Sequence, residues 1–167
     1  EGPAGIALTR QNVPTFARGT GAASGDEFAS ADLAAKGAYV LADSPTGTVD
    51  VILIATGSEV QLAVAAREQL AEQGIGARVV SAPSLEWFAE QDAAYHESVL
   101  PASVKARVSV EAGLALPWRG IVGDAGRSVS IEHFGASADY KTLFQKFGIT
   151  TDAVVAAAHE TIAAAGA

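Results

Sequence analysis

The 167-residue chain contains no cysteine and no methionine. Without thiols it has no disulfide, no thiolate nucleophile and no thiolate metal ligand, a composition that fits a reducing compartment. The first residue is Glu1 and an initiator methionine is missing, which sets the expectation of a piece of a longer chain. No apolar stretch reaches the ~18 residues that a membrane-crossing helix needs, and no basic, apolar N-terminal segment reads as a signal peptide. Positive charge is scarce. Eleven Lys and Arg stand against 19 Asp and Glu, for a net charge of −8, which is unfavourable for a nucleic-acid backbone or an anionic membrane. Apolar residues make up 49% and charged residues 18%, so the chain is not of the disordered type and has material for one core.

Apolar runs separated by helical periodicity set the organisation. Gly5-Ile-Ala-Leu-Thr9 reads as a buried strand, and the stretch from Arg10 to Gly25 as loop or linker. A short helical turn is expected over Asp32–Lys36 and a strand over Gly37–Ala42. Val51-Ile-Leu-Ile-Ala55, apolar at every position, has the form of a fully buried parallel strand. Ser58 with Gln61 suggests a capping box for a helix that buries Val60, Ala63, Val64, Leu70 and Ala71 and stops at Gly74. A strand over Ala77–Ala82 completes a strand–helix–strand unit. Pro83-Ser84 opens a short helix through Phe88, and further strands fall at Val108–Glu111 and Val129–Glu132. Tyr140, Leu143, Phe144 and Phe147 form a helical stripe closed by Gly148, and Thr150 or Thr151 caps a last helix with Val154, Val155, Ala158 and Ile162 inward. This alternation is that of a layered α/β sheet.

Three places carry candidate chemistry. Thr56-Gly57-Ser58-Glu59, at a strand end and a helix start, suits either an anion or a tight turn chosen for steric reasons. Gly135-Ala-Ser137-Ala-Asp139 beside His133 is half a nucleophile elbow, although Ala138 crowds the second glycine's place, and a helix-capping loop is the alternative. The histidines His96, His133 and His159 show no metal-ligand spacing. Arg10 follows the first expected strand, at the end where α/β sheets place ligands, and its planar fork suits a phosphate; otherwise it is a solvated surface charge.

Six ordered blocks then carry a resemblance that spans essentially the whole chain: Leu8-Thr-Arg-Gln-Asn-Val-Pro14, Lys36-Gly-Ala-Tyr-Val-Leu41, Asp50–Val60, Val80-Ser-Ala-Pro-Ser84, Val110-Glu-Ala-Gly113 and Phe134-Gly-Ala-Ser137. Together they resemble the C-terminal part of transketolases. The resemblance implies a three-layer α/β sandwich with a mostly parallel, mixed five-stranded sheet. It divides the chain into the end of a pyrimidine-binding domain (1–20), a linker (21–36) and the transketolase C-terminal domain (37–167). The implied activity is transfer of a two-carbon ketol unit between ketose and aldose phosphates in the pentose phosphate pathway. Thiamine diphosphate and Mg2+ would serve the full-length enzyme, a cytoplasmic homodimer, with neither cofactor expected on this chain.

The family's Ser-Arg-Gln-Asn-Leu-Pro block assigns Arg10 to the substrate phosphate, with Thr9 and Val13 as mild departures. No catalytic, cofactor-binding or metal-binding residue is expected here, so the chain alone is expected to be inactive. The competing readings are another thiamine diphosphate enzyme (deoxyxylulose phosphate synthase or a 2-oxo-acid dehydrogenase β subunit) and a non-catalytic nucleotide- or protein-binding module.

Overall fold

The computed structural model describes residues 3, 5–24 and 28–166. Strands and helices alternate as β1 (Tyr39–Ala42), β2 (Val51–Ala55), α1 (Val60–Glu72), β3 (Ala77–Ser81), α2 (Leu85–Ala89), α3 (Ala93–Val99), β4 (Arg107–Val110), α4 (Arg119–Val122), β5 (Arg127–Val129), α5 (Tyr140–Phe147) and α6 (Thr151–Ala165). The sheet order is β1-β3-β2-β4-β5. Only β1 runs antiparallel to its neighbour; the pairs β2–β3, β2–β4 and β4–β5 are parallel. This is the mixed, mostly parallel sheet expected.

The central strand β2 shows why the layers form. All five of its residues are buried, because a parallel strand with neighbours on both edges needs apolar cover on both faces. Val51, Leu53 and Ala55 face a layer made by α1 and α6, with Leu70, Val154 and Ala158 at its centre. Ile52 and Ile54 face the opposite layer, where Phe88, Val99, Trp118 and Val122 come from α2, α3 and the segment entering α4. Gly37 lets β1 start close under α2. Its φ is +83°, and a Cβ there would run into the backbone of Ser84 and Phe88, while its carbonyl accepts the Ser84 N–H at 2.9 Å.

Several expectations are corrected. Gly5–Thr9 is neither a strand nor buried: Ile6 is 85% and Leu8 84% exposed. An apolar run becomes a strand only where its N–H and C=O groups find a ladder, and no strand pairs with it among the described residues. The Ser58–Gln61 capping box does not form, because the chain enters α1 through a 3-10 turn over Gly57–Glu59, with Gly57 at φ +57°. Gln61 Nε2 instead donates to the Ser58 carbonyl at 2.9 Å. The fifth strand lies two residues earlier than expected, because β5 pairs only with β4, whose ladder closes at Val110–Val129.

In α6 the deep position after Ala158 belongs to Thr161, with Val155 and Ile162 half-buried. Its hydroxyl donates to the Ala125 carbonyl at 2.8 Å and accepts the Arg107 N–H, so the polar group is satisfied where it is buried. The aromatic stripe of α5 is in place, although none of its residues is fully buried. Helix α3, capped by Asp92, and the short α4 are additions to the sequence reading.

The stretch before β1 is docked on the sheet unit. The rings of Phe16 and Phe28 meet tilted by 37° with centroids 4.7 Å apart, and an Arg18 guanidinium N–H donates to the Ala29 carbonyl at 3.0 Å and to the Tyr39 hydroxyl at 3.1 Å. A 3-10 helix over Ala31–Lys36, capped by Ser30, leads into Gly37.

Candidate functional site

The strand order reverses at β2. From there the chain passes through α1 to β3 on one side and later returns to β4 on the other. In open α/β sheets the crevice outside the carboxyl ends of such strands is where ligands bind. Three segments meet at this edge: the Thr56–Glu59 turn after β2, Glu111–Gly113 after β4, and Ile131–Gly135 after β5.

The turn after β2 is occupied by an acid of the chain itself. Glu59 is folded into it, 6% exposed, and its Oε1 accepts the Ser58 hydroxyl at 2.6 Å. Burial pushes this carboxyl above the ordinary carboxylate range, against the opposing pull of Ser58 and the N–H groups of Ala112 and Glu59, and the Glu111 charge pushes the same way. Glu111 Oε2 in turn accepts the Trp118 indole N–H at 2.7 Å, with Trp118 buried in the α2–α4 layer. Two acids on adjacent strand ends therefore occupy the switch point.

Beside them opens a cavity of about 490 Å3 lined by Ala112, Gly113, Leu114, Ile131 and Phe134, with Glu132 and His133 as its polar members. Phe134 is 97% exposed. Glu132 accepts the Ala115 N–H at 2.8 Å. That bond, then the Ser130 side chain and the Arg119 charge, hold its carboxyl below the ordinary range.

The nucleophile-elbow reading at Ser137 receives no support. Asp139 caps α5, accepting the Thr142 N–H at 3.1 Å and its hydroxyl at 2.7 Å. His133 faces the Phe134 carbonyl through Nδ1 at 2.8 Å and sets its ring against Phe147. The helix-capping loop is what is built. His96 stacks on Phe88 at 4.3 Å, and His159 meets Gln73 between α6 and α1 at 2.9 Å. Among the described residues no three His, Asp or Glu gather as metal ligands.

Arg10 lies at a bend after the irregular segment Gly5–Thr9 and is exposed. No hydrogen bond or ion pair joins it to the carboxyl-edge residues among the described residues. Its neighbour Gln11 carries a buried Oε1 with no hydrogen-bond partner among the described residues. The Glu59–Glu111–Trp118 arrangement was not foreseen. Its one sequence signal is an acid shortly after each of two apolar strands, β2 and β4, legible only once those strands are known to be neighbours.

These features define an α/β domain of the open-sheet type whose ligand-side edge is filled by its own acids. The profile of the transketolase-like TK C-terminal domain matches residues 37–150, and the chain belongs to that family. Transketolase of Mycobacterium leprae is 52% identical over 164 residues, 96% of this chain and 22% of that protein. Transketolase 1 of Escherichia coli K12 is 48% identical, over 97% of this chain and 23% of that protein. Among solved structures, transketolase of Pichia stipitis in complex with sedoheptulose 7-phosphate superposes with a TM-score of 0.75 at 35% identity, covering 92% of this chain and 20% of the other. The chain thus spans about a fifth of the length of these relatives.

Proposed function

We propose that this chain is the C-terminal part of a transketolase, an enzyme that moves a two-carbon ketol unit between a ketose phosphate and an aldose phosphate. The observation that carries this reading is 52% identity to a transketolase over 96% of the chain. Solved relatives bound to sedoheptulose 7-phosphate, xylulose 5-phosphate and fructose 6-phosphate support sugar phosphates as the substrate class. In this reading residues 1–20 end the pyrimidine-binding domain, 21–36 link, and 37–167 form the C-terminal domain of a cytoplasmic homodimer in the pentose phosphate pathway.

The enzyme's thiamine diphosphate and Mg2+ do not fit the described residues of this chain. The turn after β2 is filled by the Glu59 carboxyl, which would repel a diphosphate, and the described acids and histidines form no metal cluster. When bound elsewhere in the enzyme, the cofactor supplies stabilisation of negative charge on the transferred carbons. This chain's part is substrate binding. The exposed Arg10 holds the distal phosphate, and the orphaned Gln11 Oε1 marks the same block as completed by groups outside the chain.

A phosphate contact far from the reacting carbons is present in ground and transition states alike, so its loss raises KM more than it lowers kcat. A charge-assisted bidentate contact is worth roughly 1.5–3 kcal/mol, and Arg10→Ala in the full enzyme should lower kcat/KM for phosphorylated substrates by about ten- to a hundredfold. Arg10→Lys should rescue in part, keeping the charge and losing the fork. Hydroxypyruvate, which has no phosphate, should be much less affected. Equal losses on both donors would make Arg10 structural, and ketol transfer by this chain alone would overturn the division of labour.

A further inference from the structure

Exposure of large apolar side chains is uneven over the sheet unit. Among the described residues from 28 onward, those left exposed are Trp87 on α2 and Leu114, Leu116 and Phe134. The last three belong to the two loops at the carboxyl edge, one after β4 and one after β5. Leu114 and Phe134 line the same cavity, together with Ala112 and Ile131. The loops are also tied to each other. Glu132 accepts the Ala115 N–H at 2.8 Å, and the Ile131 N–H donates to the Gly113 carbonyl at 2.8 Å. Phe134 is almost wholly exposed, on a loop whose next residues, Gly135 to Ser137, are exposed as well. A single exposed apolar residue is ordinary, but several around one cavity mark a surface that another surface covers.

Length and charge together point to what covers it. The chain spans about a fifth of the transketolases it matches. On the reading proposed above, on which this inference rests, the remainder of the enzyme lies upstream. The segment Gly5–Pro14, which leads back toward that remainder, is itself uncovered: Ile6, Leu8 and Val13 are exposed. A second copy of this chain is a poorer fit. Glu111 and Glu132 stand beside the cavity, with Arg119 as the cation acting on Glu132. A face-to-face pair would set these acids against their own copies, in a chain of net charge −8.

We propose that the face formed by Leu114, Leu116 and Phe134 is the docking surface of this domain for the upstream part of its own polypeptide. The cavity takes apolar side chains from that part, and Phe134 inserts into it as the reciprocal aromatic anchor. The crevice that open α/β sheets offer to ligands is thus used for domain assembly, and docking closes it to small molecules.

The test uses the full-length enzyme with the photo-crosslinker p-benzoylphenylalanine in place of Phe134, an aromatic exchange at an exposed position. After irradiation, a denaturing gel gives the mass of the product and peptide mass spectrometry gives the site. The expected product has the monomer mass and joins the 131–137 loop to a peptide upstream of this chain. Amide exchange in the unsubstituted enzyme is the second readout. The N–H groups of Phe134, Gly135 and Ala136 have no hydrogen-bond partner among the described residues, nor has that of Gly47 in the exposed turn after β1. After correction for sequence, exchange at 134–136 should be at least about tenfold slower than at Gly47, because only the loop is covered. A product of dimer mass, the absence of a product, or exchange at 134–136 as fast as at Gly47 would each overturn the proposal. Ketol transfer is assayed on the unsubstituted enzyme in parallel. Crosslinking without ketol transfer would sink the transketolase reading and leave the docking surface standing, whereas ketol transfer without crosslinking would sink the docking surface alone.

Discussion

Two five-residue runs of this chain look alike on paper and end in opposite environments. Gly5-Ile-Ala-Leu-Thr9 leaves Ile6 and Leu8 more than four-fifths exposed, whereas Val51-Ile-Leu-Ile-Ala55 is buried at every residue. Both are short and apolar. The second has β3 on one edge, β4 on the other, and helical layers on both faces; the first has no paired strand among the described residues. Apolarity is thus a demand for cover, and neighbours decide whether the demand is met.

The largest expected effect of that difference is in amide exchange. Protection in Val51–Ala55 should approach the global unfolding limit, about a thousandfold or more over Gly5–Thr9, since core strands open only with the whole domain. Equal protection in both runs would break the comparison and require a pairing partner for the first, such as a second copy of the chain. Truncation should follow the same contrast. Leu53→Ala, at a site with no exposure, should lower stability by about 2–5 kcal/mol in denaturant unfolding. Leu8→Ala should stay within about 0.5 kcal/mol.

Two glycines sharpen the point within the sheet unit. Gly37 and Gly47 have nearly equal φ, +83° and +84°, but a Cβ meets backbone only at Gly37. Gly47→Ala should cost about 1–2 kcal/mol from conformation alone. Gly37→Ala should cost clearly more, because α2 has to move, and thermal melts of both variants separate strain from crowding.

The smallest expected effect lies at the edge of the same unit, where Arg78 grips Asp43 at 2.9 and 3.0 Å. Burial alone would raise the Asp43 carboxyl, but the Arg78 hydrogen bonds and charge hold it below its ordinary value of 3.8. A lowered folded-state pKa favours the folded state above that value and loses its contribution as pH falls through the folded pKa. Asp43→Asn should therefore remove about 0.2–1 kcal/mol at neutral pH and nothing in acid, as read from unfolding curves at the two pH values.

The site was less legible than the fold. The strands at 39–42, 51–55, 77–81 and 107–110 and the stripes of α1 and α5 follow from local periodicity, and local periodicity is in the sequence. Arg10 could be named from its block, yet the strand expected before it is absent, because that strand depended on partners rather than on its own residues. Ser58 was expected to cap α1; it bonds Glu59 instead, since the entry turn at Gly57 changes which groups face each other.

Composition and period alone determined that this chain has an α/β core, that Gly74 and Gly148 stop two of its helices, and that Asp139 and Thr150 are of the type that starts them. Tertiary structure alone decided that β2 and β4 lie side by side, more than 50 residues apart along the chain, with Glu59 and Glu111 at their ends. The physical reason is range. Periodicity and capping act over a few residues and are written locally, whereas burial of a charge and its repulsion by another depend on distances through space that only the assembled sheet sets.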